Sequence, residues 1–305
     1  MDISKECLDV IDLDGKHSVR EVFVIVFYIR RTHFDVGPQI ENAIFGFANL
    51  VSFEKLRFFA DSEGEWLDLL KQNLPLLLDE EYGSFADTLN ADIILRGIGQ
   101  HPPDFYLRYA GDIRAGEDEI ASYFYCWVPK DYWLEHSQEI VEFIDKLAAT
   151  LPFSFGYASL AIVCDDRRRL QKLARRYQAI DISYPGSVKL DIGDKAGGSY
   201  WLTYLGKVLT ETVNGVKGLQ KELPKGIRIE EIATGKCRLQ LGPEPIWGDV
   251  NHREDLSLYQ ALTAYFDNCR ILHVPQRVIY FKDDLGMADQ QAQEDWYRRF
   301  LEKRF

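Results

Sequence analysis

The chain has 305 residues, 46% hydrophobic and 28% charged, an ordinary globular composition with enough apolar material for one large domain or two. Its net charge of −12 is uneven, because residues 1–150 carry 28 acidic and 13 basic side chains, against 20 and 23 in residues 151–305. Such an acidic half argues against binding to nucleic acid or to anionic membranes; it either attracts a basic partner or serves solubility alone.

The N-terminal residues lack a basic stretch followed by an apolar one, so we expect no signal peptide. The longest apolar run, residues 22–29, is too short to cross a bilayer. Five cysteines without CxxC spacing are typical of reduced thiols. These features predict a cytoplasmic protein.

In the first half of the chain, residues 19–30 are almost continuously apolar, which predicts a strand buried on both faces. A helix is expected after Gly37 and Pro38. At residues 65–78, Trp66, Leu69, Leu70 and Leu74 recur at helical spacing. The other expected elements are a strand at 53–60, a turn at 61–64, paired strands at 105–109 and 122–128, and a helix capped by Asp131 that ends at Leu151–Pro152.

The second half alternates strands and helices irregularly. The pattern predicts a strand at 154–163, a basic helix at 165–178, a helix from Trp201 to a stop at Asn214–Gly215, a hairpin of 227–233 with 237–241, a helix at 256–268, a strand at 277–281 and a helix at 288–305. Such a series favours an α+β fold with a mixed, mainly antiparallel sheet or sheets flanked by helices. It allows an acidic α+β N-terminal subdomain, residues 1–150, and an α+β C-terminal subdomain, residues 151–305.

No nucleotide-binding or hydrolase motif is present, and the six histidines lie singly. The best enzyme alternative is a metal-dependent hydrolase that uses Glu244 and Asp249, both in the proline- and glycine-rich loop 241–251. We favour a structural role for Asp249, because a short acidic side chain often braces a turn through hydrogen bonds to the backbone.

The basic helix at residues 165–178 gives a second alternative, a nucleic-acid-binding module. Its cations are Arg167, Arg168, Arg169, Lys172, Arg175 and Arg176. A solvated face that balances the acidic half is favoured instead, because no aromatic side chains are interleaved with these charges to stack on bases.

Six motifs occur in order through the second half. They are FGYASLAI at 155–162, YPG at 184–186, SYWLTYLGKVL at 199–209, LGPEPIWGDVN at 241–251, LSLYQAL at 256–262 and WYRRF at 296–300. Together they resemble the type VI secretion immunity family called TsiV-like, whose members protect a bacterium from nuclease toxins. The chain departs from the family pattern at His252, which precedes Arg253 where the family often has arginine directly, and in residues 189–200.

The resemblance implies an immunity protein, not an enzyme, that needs no cofactor and no metal. It also implies that the partner is a cognate nuclease toxin, basic and restriction-endonuclease-like, and that neither nucleic acid nor membrane is bound directly. We interpret the shared motif residues as determinants of the fold: Tyr184, Pro185, Gly186, Trp201, Gly242, Pro243, Gly248, Asp249, Asn251, Trp296 and Phe300.

Toxin binding is expected to use acidic side chains outside those motifs, because a nuclease must present a basic surface to DNA. The candidates are Asp61, Glu63, Glu65, Asp79, Glu80, Glu81, Glu117, Asp118, Glu119, Glu135, Glu139 and Glu142. An ordinary interface buries only about 1,600 Å² in total, so it cannot use all of them.

Overall fold

The computed structural model describes residues 8–11, 17–61, 64–72, 74–75, 90–99, 102–164, 166–182, 184–275, 287 and 289–301. Its strands are β1 (Val10–Ile11), β2 (His17–Ile29), β3 (Phe58–Ala60), β4 (Trp66–Asp68), β5 (Asn90–Arg96), β6 (Tyr106–Asp112), β7 (Ser122–Pro129), β8 (Phe155–Cys164), β9 (Leu202–Leu205), β10 (Ile227–Ala233) and β11 (Lys236–Leu241). Its helices are α1 (His33–Val51), α2 (Lys130–Thr150), α3 (Arg167–Arg176), α4 (Pro185–Val188), α5 (Lys207–Thr212), α6 (Gly215–Glu222), α7 (Ser257–Asn268) and α8 (Gln290–Tyr297).

The described strands form one sheet in the order β10-β11-β9-β8-β2-β7-β6-β5-β3-β4, with β1 paired to β2. Every neighbouring pair is antiparallel. The predicted α+β class with a mainly antiparallel sheet is therefore confirmed. Within this part of the chain, no helix is both long enough and apolar enough to cross a membrane.

Strand β2 lies at the centre of the sheet and is buried on both faces, as its apolar run predicts. Successive side chains of a strand point to opposite faces. Phe23, Ile25 and Phe27 accordingly join the hydrophobic core on one face, while Val24 and Val26 join the core on the other.

Helices α1 and α2 cover the first of these faces. Ile40, Ile44 and Phe47 of α1 are fully buried there. From α2, the Trp133 ring stacks on the Phe23 ring of β2 with 3.8 Å between ring centroids. This ring contact buries apolar area on both side chains, so it anchors α2 to the central strand.

Helices α5, α6 and α7 cover the opposite face. Leu209 of α5, Leu219 of α6 and Leu262 of α7 are fully buried and belong to the second core. The two cores therefore correspond to the two faces of the sheet, not to the two halves of the chain.

The predicted division at residue 150 falls between α2 and β8, and the sheet is continuous across it. Strand β2 pairs with β7 on one side and with β8 on the other, from Val19↔Cys164 to Tyr28↔Phe155. The two subdomains stay a prediction, and if they exist they share one sheet.

One helix prediction in the first half, at residues 65–78, is wrong in its first part, although residues 74–75 are helical. Residues 66–68 form β4, which pairs with β3 in a hairpin. Two hydrogen bonds close the hairpin: Asp61 Oδ1 accepts from the Glu65 N–H, and the Asp61 N–H donates to the Glu65 carbonyl. Tertiary pairing in a sheet overrides a helical spacing of apolar residues.

A second helix prediction, from Trp201 to Asn214, is wrong in its first part. Residues 202–205 form β9, which lies between β8 and β11 with all four side chains buried. A short, fully buried strand has an apolar run that periodicity alone does not distinguish from a helix. The helix starts only at Lys207, and the chain then turns at Asn214 and Gly215, as predicted.

Other element boundaries shift by several residues. Helix α1 begins at His33, ahead of the Gly37–Pro38 start that we expected, and Asp131 does not cap α2 through its side chain. The predicted strand at 53–60 is reduced to Phe58–Ala60. The hairpin of β10 and β11 and the helix α7 match their predictions. The predicted strand at 277–281 lies outside the described residues.

Candidate functional site

The acidic residues predicted to bind the toxin lie on three separate parts of the surface. Asp61 and Glu65 flank the β3–β4 turn, residues 117–119 form the β6–β7 turn, and Glu135, Glu139 and Glu142 lie on α2. The remaining candidates, Glu63, Asp79, Glu80 and Glu81, lie outside the described residues.

The β6–β7 turn is tied to basic side chains of the chain itself. Lys195 Nζ lies 3.2 Å from Glu119 Oε2, and the Arg30 guanidinium donates hydrogen bonds to the backbone carbonyls of Gly116 and Asp118. These cations reduce the negative potential of the turn, although Glu117, Asp118 and Glu119 are all exposed.

The acidic side of α2 has no such neutralisation. Glu135, Glu139 and Glu142 are exposed. Glu139 and Glu142 are about one helical turn apart and lie on the same side of α2, whereas Glu135 precedes a kink at His136, whose backbone angles are not helical. Gln138 Nε2 donates to Glu142, and His136 Nδ1 lies 3.8 Å from Glu139 Oε2. No lysine or arginine of the described chain forms an ion pair with these three carboxylates.

Beside this acidic side, α2 borders an open groove of about 510 Å³. The buried rings of Trp133 and Trp201 meet edge to face beneath it, with 5.3 Å between centroids. Leu134 and Val141 of α2 form the apolar wall, and Leu134 is 37% exposed.

The opposite wall of the groove is polar. This wall is formed by the end of the sheet next to α2. Arg228 of β10 and Arg238 and Gln240 of β11 line the groove there. Arg238 forms ion pairs with Asp145 and Glu230, and Arg228 pairs with Glu230. These two cations are therefore neutralised by two carboxylates of the same chain.

Loop 241–251 closes one end of the groove. Pro243 and Pro245 line it, and Glu244 is exposed there, as is Glu142 of α2, which also lines the groove. No hydrogen bond or ion pair engages Glu244 within the described chain. The groove therefore combines an apolar floor with a net negative rim.

The same loop is anchored by Asp249, which is fully buried. Its carboxylate accepts hydrogen bonds from Arg176 Nε and Nη2 (3.1 and 2.6 Å), from His252 Nδ1 (2.8 Å) and from the Asn251 N–H (2.9 Å). Burial by itself raises the pKa of this carboxyl, but the hydrogen bonds outweigh burial and lower the pKa to about 2. Asp249 thus joins the loop to α3.

The hydrolase alternative requires Glu244 and Asp249 to be available to a metal ion. Both Asp249 oxygens are engaged by this chain, whereas Glu244 lies exposed at the groove. Among the described residues, no three or more histidine, cysteine, aspartate or glutamate side chains are grouped so that they could hold a metal ion.

Two of the basic side chains of α3 bind other residues of the same chain. Arg176 is paired with Asp249, and Arg169 Nη1 donates to Ser18 Oγ (3.1 Å). Lys172 and Arg175 are exposed. Asp165 and the side chains of Arg167 and Arg168 lie outside the described part of the chain.

The YPG motif lies where α4 begins. Pro185 occupies the first turn of α4, and Arg108 Nη1 donates to the hydroxyl of Tyr184 (3.1 Å). An added Cβ at Gly186 would lie 2.6 Å from the Tyr184 ring. Gly186 therefore packs against the Tyr184 ring, and the Tyr184 hydroxyl contacts β6.

The other motif residues contact the core. Trp201 Nε1 donates to the Gly242 carbonyl (3.4 Å), Trp296 is buried beneath the Arg299 guanidinium, and Phe300 packs against Tyr259. Gly242 and Gly248 have positive φ values, Pro243 lines the groove, and Asn251 contributes its N–H to Asp249.

Sequence reasoning missed the groove, because its walls come from α2, from the β10–β11 hairpin and from loop 241–251, which are far apart in the chain. One sequence signal points to it. Leu134 is apolar but lies off the buried stripe of Trp133, Ile140 and Ile144, which leaves an apolar side chain on the outer side of α2.

The chain has relatives both in sequence and in fold. The sequence model of a family described as TsiV, type VI immunity for VRR-NUC, matches residues 49–300. The solved structure of the Pseudomonas aeruginosa T6SS protein PA0821 is similar, with a TM-score of 0.78 over 98% of this chain and 89% of that one. The identity is 15%, so this likeness concerns the fold alone. No curated protein matches the chain. A match to the family as a whole does not show whether the chain is its TsiT member.

Proposed function

Because the chain belongs to the family of type VI immunity proteins for VRR-NUC, we propose that it neutralises a cognate VRR-NUC-type nuclease toxin by binding it directly. Membership of this family implies a role in bacterial competition and a non-enzymatic one. Binding either covers the active site of the toxin or holds the toxin in an inactive shape. No cofactor is required for either.

The observation that carries the proposal beyond the family is the unneutralised acidic side of α2. A nuclease must bind the phosphates of DNA, so it presents lysine and arginine side chains on the surface that has to be blocked. Glu135, Glu139 and Glu142 offer carboxylates to such a surface, and no lysine or arginine of the described chain forms an ion pair with them. Complementary charges of this kind speed association and orient the encounter.

The three acidic surfaces cannot all contact one partner. Strands β4 and β10 are the two ends of the sheet, and ten strands at about 4.8 Å spacing place them roughly 40 Å apart. Asp61 and Glu65 lie at the β4 end, whereas α2 borders β10 and β11. We propose that the interface lies on α2, since Lys195 and Arg30 partly neutralise the β6–β7 turn and the Asp61 carboxylate is bonded within its own turn.

A cytoplasmic location follows from the same proposal, because a nuclease acts on DNA in the cytoplasm of the target cell. The described cysteines fit reducing conditions, since Cys126, Cys164, Cys237 and Cys269 form no disulfide.

Calorimetry with a catalytically inactivated toxin nuclease domain tests the proposal. The triple variant Glu135→Lys/Glu139→Lys/Glu142→Lys is expected to bind at least about tenfold more weakly than the wild type, with slower association. The loss should diminish between about 150 and about 500 mM salt, because salt screens exposed charges.

The matched control is Glu65→Lys/Glu117→Lys/Glu119→Lys, which makes the same change in net charge on the other two acidic surfaces. It is expected to bind nearly as well as the wild type. Equal losses for the two triple variants would show that α2 is not the interface. Absence of binding by the wild-type protein would refute direct neutralisation.

A further inference from the structure

We infer that the groove between α2 and loop 241–251 is the anchor site for a lysine- or arginine-bearing segment of the toxin. The inference rests on the proposed function and assigns to it a specific recess and a specific side-chain chemistry. A few buried anchors carry most of the free energy of a typical interface, and they occupy recesses of this kind.

The shape and the lining of the groove favour an amphipathic occupant. Trp133 and Trp201 lie at its base, with Leu134 and Pro243 beside them. A side chain bound there would bury its apolar surface away from water. Lysine and arginine bury their aliphatic stems on such surfaces while the charged end remains at the edge. The volume of about 510 Å³ is large enough for several side chains of a segment.

The charges around the opening of the groove determine whether a bound segment is basic or acidic. Arg228 and Arg238 are neutralised by Glu230 and Asp145, so the polar wall contributes no net charge. Glu142 of α2 and Glu244 of loop 241–251 remain, and both line the groove with no ion pair to a lysine or arginine of the described chain. An acidic segment would meet two like charges, whereas a basic one would meet two carboxylates.

The groove is also continuous with the acidic side of α2. Glu142 lines the groove and lies one helical turn from Glu139 on the acidic side of α2. A basic partner attracted to this side is therefore guided to the groove, where the apolar contacts form. In this arrangement the acidic side of α2 speeds association, and the apolar contacts in the groove slow dissociation.

The test uses residues that are exposed and outside the core. Leu134→Ser and Glu244→Lys, singly and together, are compared by calorimetry for affinity and by surface plasmon resonance for rates, against the inactivated toxin nuclease domain. The matched controls are Val208→Ser and Glu211→Lys on α5, which covers the opposite face of the sheet; Val208 is 51% exposed. The double groove variant is expected to weaken binding at least about tenfold, chiefly through faster dissociation, and the controls are expected to leave binding unchanged.

A photocrosslinking residue at position 134, with one at position 208 as control, identifies the occupant in the purified complex. Crosslinking from position 134 to a toxin peptide that contains lysine or arginine next to apolar residues would support the inference. A crosslinked peptide rich in acidic residues, or groove variants that bind as tightly as their controls, would overturn it while leaving direct neutralisation intact. Failure of the wild-type protein to bind would refute the proposed function itself.

Discussion

At the scale of single residues, Asp249 places a fully buried, ionised carboxylate in loop 241–251. Its fully buried carboxylate is held by one arginine, one histidine and a backbone N–H. A buried charge is stable only when it is paired and hydrogen-bonded, and removing one partner of such a pair is costly. The stability of the loop therefore depends on the ionised form of this carboxyl.

We expect Asp249→Asn to lower the free energy of unfolding by about 2 kcal/mol at pH 7. The pKa of the folded protein, about 2, lies below the ordinary value of 3.8, so the contribution of Asp249 is complete above about pH 4 and is lost as the pH falls towards 2. Urea unfolding of both proteins at pH 7, 4 and 3 measures this. The difference between them should shrink at the lowest pH; a difference that does not change with pH would contradict the ion-pair account.

At the scale of elements, the path of loop 241–251 requires glycine at one particular place. Gly248 has φ of +69°, and an added Cβ would lie only 2.4 Å from the backbone nitrogen of Ala179. This close approach allows the Gln178 and Ala179 N–H groups to donate to the carbonyls of Gly248 and Trp247 (3.0 and 3.1 Å). The loop is thus fastened to the segment that follows α3.

Gly248→Ala is expected to lower the free energy of unfolding by about 3 kcal/mol, because the positive φ and the clash with backbone both act. Gly215→Ala is the matched control: φ is +71°, but nothing lies within 4 Å of the added Cβ. Its cost should be about 1 kcal/mol, from the backbone conformation alone. Thermal and chemical denaturation would compare the two variants, and equal losses would show that the contact with Ala179 is unimportant.

At the scale of the whole molecule, the sheet makes the two halves of the chain depend on each other. Strand β2 provides the partner for β8, and both of its faces are covered by core residues. Without residues 1–150, β8 would become an exposed apolar edge, which proteins avoid.

We therefore expect residues 151–305, expressed alone, to lack a cooperative unfolding transition and a dispersed NMR spectrum. Adding residues 1–150 to the fragment should restore both, since the two halves share one sheet. Cooperative unfolding of the isolated fragment would instead establish residues 151–305 as an independent domain and support the division predicted at residue 150.

The sequence by itself determined the family, the fold class and the elements with strong patterns. The family was predictable because six motifs occur in order over residues 155–300, within the range that the family model matches. The apolar run of β2 and the hairpin of β10 and β11 were predictable because local patterns specify a buried strand and a tight turn.

Only the tertiary structure decided between strand and helix at residues 66–68 and 202–205, because their pairing partners, and not their own spacing, select the conformation. It also decided the candidate site. Leu134, Arg238 and Glu244 are separated by many residues in the chain, and only the packing of α2 beside the end of the sheet brings them to one groove. The carboxylates left without a basic partner follow from the same packing, since ion pairs depend on distances that sequence does not contain.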